Sequence, residues 1–236
     1  MKILALDCTA TVCSVALCED ETPIALYTLN NGNTHSESLL PMIETVLRHA
    51  HLSVSDVDLF ACTEGPGSFT GVRIGCATIK GLAFDRQKPC IGVSTLEALA
   101  ENLQGLDGLL CPVMNARRGQ VYNALFRFEN GAIQRLCPDR AIALTELDKE
   151  LAGETTVRLC GDGYELAVSA LMQASLTPTP SFLIPQNAGS VARCALRAYQ
   201  AGKSGTDSSL KPTYLRLPQA ERERKERLAA QKATQE

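Results

Sequence analysis

Histidine is scarce in this 236-residue chain, and tryptophan is absent. His35, His49 and His51 are the only imidazoles. The residue four places after His35 is Leu39, so no H-x-x-x-H pair exists to hold a metal on one helical face. His49 and His51 are two apart and share no helical face. Sequence order specifies no Ser-His-Asp set either. The chain carries ten cysteines but no C-x-x-C, and the spacing of Cys8, Cys13 and Cys18 fits no common zinc ligand set. Charge of one sign is lacking too: Lys plus Arg is 23, Asp plus Glu is 26, and the net charge is −3. That disfavours a dominant phosphate-binding face. No apolar run approaches the roughly 18 residues of a membrane span. Only Ile3 to Leu6 separate Lys2 from Asp7, which is short for a signal-peptide core. Ten thiols without a disulfide pattern predict a reducing, cytoplasmic setting.

What is present is a globular composition, 45% hydrophobic and 21% charged. Most cysteines sit in apolar runs such as Leu59–Cys62 and Leu109–Cys111, as small core residues. Three apolar stretches, Ile3–Leu6, Val12–Leu17 and Ile24–Leu29, predict a three-stranded meander. A helix follows, with Thr34-x-x-Glu37 as a capping box and Leu39, Leu40, Ile43, Val46 and Leu47 at helical spacing. Pro41 is its misfit. Val57–Thr63 reads as a strand covered on both faces. A glycine-rich turn then opens a helix to about Phe84. A short strand at Ile91–Val93 leads to a helix opened by the capping box Ser94-x-x-Glu97. After Gly105–Gly108 the pattern returns: strands at Leu109–Met114, Val121–Phe128 and Ala132–Leu136, a helix at Thr145–Leu151, a strand at Val157–Cys160, and helices at Tyr164–Ala174 and Ala188–Ala201. The repeat predicts lobes at 1–105 and 106–216. The mixed-charge segment 217–236 predicts a solvated, fraying arm.

Few motifs point to chemistry. Gly65-Pro66-Gly67-Ser68-Phe69-Thr70-Gly71 lies between a strand and a helix, where backbone N–H groups bind anions. Its spacing is neither a Rossmann fingerprint nor a P-loop. Gly71, Gly75, Ala77 and Thr78 equally suit close helix packing. Gly202-Lys203-Ser204 lacks the upstream glycine of a P-loop, since Arg197 stands there. Asp7 ends the first strand, Asn115 holds the matching place in the second half, and Asp162 follows another strand. Such residues hold magnesium with a nucleotide or cap a turn.

The chain resembles the bacterial TsaB (YeaZ) family over residues 1–216. The resemblance is carried by Leu4–Thr9, Ser14–Leu17, His35-Ser36-Glu37 with Leu39-Leu40-Pro41, Gly65–Gly75, Lys80–Ala83, Ala116–Tyr122 and Pro212–Arg216. It implies a duplicated, two-lobed α/β fold like the actin, sugar-kinase and heat-shock-chaperone ATPases (ASKHA, ribonuclease-H-like). It implies a non-catalytic partner of TsaD that acts with the ATPase TsaE. Their reaction is threonylcarbamoyl transfer to the adenosine beside the anticodon, in tRNAs reading codons that begin with A. A homodimer is implied where TsaD is absent, tRNA is met indirectly, and no cofactor is bound by the chain alone, though a nucleotide at a shared interface fits the scheme. Two departures stand out: Asn115 where aspartate is usual and Cys8 where serine is usual.

The partner surface is expected on two helices, at Leu39, Met42, Ile43 and Val46 and at Gly71, Arg73, Gly75 and Thr78, which offer apolar and small residues for helix packing. Three rivals define the alternatives. One is an ATP-binding kinase or ATPase on the same fold. Another is a hydrolase, which lacks a definable nucleophile and base. The third is direct tRNA recognition through Arg117, Arg118 and the tail, against the net charge.

Overall fold

The computed structural model describes residues 1–216; the 217–236 arm lies outside the described residues. The predicted meander forms as β1 (Lys2–Asp7), β2 (Cys13–Glu19) and β3 (Thr22–Leu29). Helix α1 (His35–His49), β4 (Leu59–Gly65), α2 (Phe69–Ala83), β5 (Cys90–Ser94) and α3 (Thr95–Glu101) follow. The first sheet runs β3-β2-β1-β4-β5, with β1, β4 and β5 parallel.

The second half repeats this plan. It contains β6 (Leu109–Asn115), β7 (Gln120–Asn123), β8 (Phe126–Glu129), β9 (Ala132–Arg135), β10 (Arg140–Ala143), α4 (Leu144–Leu151), β11 (Val157–Cys160), α5 (Tyr164–Ala170) and α6 (Ala188–Gln200). Strand β6 lies antiparallel to β7 and β8 and parallel to β11, as β1 lies antiparallel to β2 and parallel to β4. This is the duplicated, actin-like α/β fold.

Strand β1 is apolar from Ile3 to Leu6 because both its faces are covered. Leu4 and Leu6 pack under α1 and α2, while Ile3 and Ala5 pack under α6. The stripe Leu39, Met42, Ile43, Val46 and Leu47 turns onto the first sheet, the ordinary fate of an amphipathic helix face. Pro41 sits exposed in the second turn of α1, and the expected Thr34 capping box is not formed; the Thr34 hydroxyl meets Ser36 instead. Ser94 does cap α3 by accepting from Glu97 N at 3.2 Å, but the Glu97 carboxylate turns away to Arg135.

The strand expected at Val121–Phe128 is divided in two. Pro112 has no N–H to donate, so the ladder between β6 and this strand breaks across from Ala124. The Asn123 side chain donates to the Pro112 carbonyl at 3.1 Å and partly mends the gap.

The first sheet comes from residues 2–94 and the second from residues 109–160, but helices cross between them. Helix α3 lays Leu96 and Leu99 on the second sheet beside Leu110, Met114 and Phe126. Helix α6 returns to the first sheet through Ala188, Val191, Ala192 and Ala195. The exchanged helices are clamped by Glu101 on α3, whose side chain is fully buried and accepts from Arg193 Nε at 3.0 Å and Arg197 Nη2 at 2.6 Å. Removing both arginines strands a buried carboxylate. The double variant Arg193→Ala/Arg197→Ala is therefore expected to lose about 3–5 kcal/mol at neutral pH, measured by urea unfolding.

Candidate functional site

Two hairpin turns, one from each half, face each other across a cleft. Asp7 ends β1, and its Oδ1 accepts from Thr9 N at 2.9 Å and Thr9 Oγ1 at 2.7 Å. Asn115 ends β6 and repeats the device: its Oδ1 accepts from Arg117 N at 2.8 Å. Both residues thus close a turn two residues long. Their surroundings differ. Asp7 is buried, its Oδ2 has no hydrogen bond, and burial pushes its carboxyl up to about 6 against the opposing effect of the Thr9 bonds. Asn115 is exposed, and its N–H donates to Asp162 Oδ1 at 3.1 Å. Arg117 and Arg118 both take left-handed backbone angles, φ 62° and 55°, and are exposed; Arg117 lines the cleft.

The cleft has a volume of about 460 Å³. Thr9 to Thr11 form one wall, Asn115 to Arg117 with Asp162 the other, and Gly67 to Thr70 the floor at the start of α2. Ser68 already caps that helix, its hydroxyl accepting from Gly71 N at 3.3 Å, and its own N–H donates to the Thr9 carbonyl at 2.8 Å.

A segment to which sequence reasoning gave no role ties the cleft together. Thr213 N donates to the Glu64 carbonyl at 2.7 Å, Tyr214 stacks on Phe69 at 4.8 Å, and Arg216 Nη1 donates to the Ala116 carbonyl at 2.7 Å. Leu215 packs into the core beneath the second sheet. Residues 213–216 therefore strap the end of β4 to the β6–β7 turn. Gly65 lets the strap approach: its φ is +117°, and a Cβ there would overlap the Thr213 carbonyl.

The expected partner residues divide sharply, and most need correcting. Leu39, Met42, Ile43 and Val46 are buried in the chain's own core, so they present no surface. Gly71 is buried against the Cys8 carbonyl, and Gly75 faces Cys8. The small size of Gly71 serves packing inside the fold. Arg73 and Thr78 do reach the outer face; the Arg73 guanidinium lies over the Tyr214 ring and its Nε donates to Tyr214 Oη at 2.7 Å. The outward side of these two helices is made instead by Leu40, which is 57% exposed, with Pro41 and Glu44 on α1 and Thr70, Ala77 and Gly81 on α2. Leu40 belongs to the same apolar run as the core residues, and only the orientation of α1 sets it apart.

His35, the first residue of α1, is half-buried. Its Nε2 donates to the Ala10 carbonyl at 2.7 Å, which fixes the ring beside the β1–β2 turn. Gly202–Ser204 is a loop after α6, with Lys203 Nζ on the Gly92 carbonyl at 3.2 Å. Among the described residues no helix is long and apolar enough to cross a membrane, and no three His, Cys, Asp or Glu side chains are grouped to hold a metal.

The paired turns, the duplicated sheets and the exchanged helices define a protein of the duplicated, actin-like α/β class. Residues 30–183 match the family model described as TsaD: tRNA N6-adenosine threonylcarbamoyltransferase. The chain is 32% identical to the tRNA threonylcarbamoyladenosine biosynthesis protein TsaB of Bacillus subtilis, over 94% of this chain and 96% of that one. It is 31% identical to the Escherichia coli TsaB, over 92% and 95%. A solved structure, YeaZ from Pseudomonas aeruginosa, superposes with a TM-score of 0.77 at 26% identity, covering 91% of this chain and 99% of that one. The chain belongs to the TsaB (YeaZ) family.

Proposed function

We propose that this chain acts in tRNA threonylcarbamoyladenosine synthesis as a non-catalytic scaffold. It binds a TsaD-type transferase and, with TsaE, supports threonylcarbamoyl transfer to the adenosine beside the anticodon. The observation that carries this reading is the outer face of α1 and α2. These neighbouring helices place Leu40, Pro41, Ala77 and Gly81 outward, a low-relief surface suited to helix packing. Two copies use the same face when TsaD is absent, so homodimer and heterodimer compete. The net charge of −3 leaves tRNA contact mainly to the partner, with the exposed Arg117 and Arg118 secondary.

Leu40→Arg and Ala77→Arg are expected to weaken TsaD binding at least about tenfold, or ~1.4 kcal/mol, by calorimetry, with unchanged circular dichroism. Unaltered affinity in both would sink this surface. Ile43→Arg is not an equivalent test, because it would place a charge in the core. The scaffold reading as a whole is tested by reconstituted transfer with and without the chain; equal turnover would remove it. In this reading the chain alone binds no cofactor, and a nucleotide belongs to the shared interface. Titration with magnesium-ATP separates it from a kinase: tight binding by the isolated chain would favour the kinase.

A further inference from the structure

Of the ten cysteines, two stand together where the chain turns from β1 into β2. The ladder pairs Asp7 with Ser14, so the next step of the hairpin sets Cys8 across from Cys13. Both side chains lie on the α1–α2 side of the sheet, and their sulfurs are 3.9 Å apart. Directly opposed residues of an antiparallel pair have Cα atoms about 4.5–5.5 Å apart, within the span a disulfide tolerates. A bond between the sulfurs therefore needs side-chain rotation rather than a new backbone path.

His35 completes the group. Its Nε2 faces a carbonyl and must carry the proton, so the neutral ring presents a lone pair at Nδ1. That nitrogen is buried and has no hydrogen bond. We propose that Cys8 and Cys13 are an oxidisable pair, closed to a disulfide by hydrogen peroxide, with His35 taking the Cys13 proton. The electrostatics agree in direction. The Cys8 hydrogen bond and His35 lower the Cys13 thiol, the Cys13 bond and burial raise Cys8, and the nearby Cys13 raises His35. The other titratable groups that bear on the trio are Asp7 and Cys76.

The steps balance. The Cys13 thiolate attacks one peroxide oxygen; an S–O bond forms, the O–O bond breaks, and the departing hydroxide takes the His35 proton as water. Cys8 sulfur then attacks the Cys13 sulfenic sulfur; the S–S bond forms, the S–O bond breaks, and hydroxide leaves with the Cys8 proton as a second water. The two thiols lose two electrons to the peroxide. Both cysteines are buried, and the intervening residues Thr9, Ala10 and Thr11 line the cleft, the side from which peroxide would approach the turn. Closure would fix this turn, on which Ser68 N and Gly71 rest.

The test is peroxide treatment of the full chain followed by non-reducing peptide mapping. The expected first product is a Cys8–Cys13 link, lighter by two hydrogens and reversed by dithiothreitol. His35→Gln, which keeps a donor for the Ala10 carbonyl, should slow its formation at least about tenfold. Cys8→Ala should leave Cys13 as a sulfenic acid that dimedone traps. A first link at Cys62–Cys76, whose sulfurs are 3.8 Å apart, would overturn the proposal. So would formation at the native rate in His35→Gln, or no link in the folded chain.

Discussion

Gly71→Ala is expected to destabilise the protein by about 2–4 kcal/mol, although alanine is the better helix former by ~1 kcal/mol. Gly71 lies in the first turn of α2, and a Cβ there would overlap the Cys8 carbonyl oxygen, a backbone atom with no easy way to yield. Helix α2 would have to lift from the β1–β2 turn, and the Ser68 N–H would draw away from the Thr9 carbonyl at the floor of the cleft. Gly75, one helical turn on, supplies the control. A Cβ there meets nothing nearer than the Cys8 Cβ, at 3.9 Å. Gly75→Ala should be neutral or stabilising by up to about 1 kcal/mol. The two variants are compared by urea unfolding, with the midpoint moving and the slope unchanged. Equal losses would show that burial of the helix face, not the contact with Cys8, governs both sites.

Asp7→Asn is expected to stabilise the protein by about 2–3 kcal/mol at pH 7, a gain that fades in acid. Burial holds the Asp7 carboxyl at about 6, above its ordinary 3.8, so the folded chain binds a proton more tightly than the unfolded one. Between about pH 4 and 6 the native state carries more of that proton. The unfolding free energy of the parent therefore falls as pH rises through this window and is level above it. Asparagine keeps the oxygen that Thr9 uses. Its amide replaces Oδ2, beside Thr63 on the adjoining strand, whose hydroxyl also lacks a hydrogen bond. The check is a pair of pH–stability curves: the parent should slope down from pH 4 to 6, and the variant should be flatter. Parallel curves would mean that Asp7 ionises without penalty.

The legible part of the fold rests on local signals. Apolar runs bounded by turn residues gave β1 to β3 and β6, and Ser94 marked the start of α3. Strand β10, four residues at an edge, has too little pattern to be seen, and the break at Ala124 follows from Pro112 on another strand. At the cleft, sequence position alone aligned Asp7 with Asn115, and the two share one turn geometry. The strap at 213–216 was visible as a motif but not as a bond between the two sheets.

By itself the sequence determined a duplicated α/β chain with Leu39 where a second metal-binding histidine would stand, because periodicity and residue identity are local properties. Tertiary structure decided which residues those periodicities spend. The stripe from Leu39 to Val46 is used up by the chain's own sheet, and Leu40 is left outside. Helices α3 and α6 exchange sheets. Two of ten cysteines meet beside a histidine because a hairpin register and a helix N-terminus converge on one turn. Each outcome depends on which apolar face finds a partner first in space, and spacing along the chain carries no information about that choice.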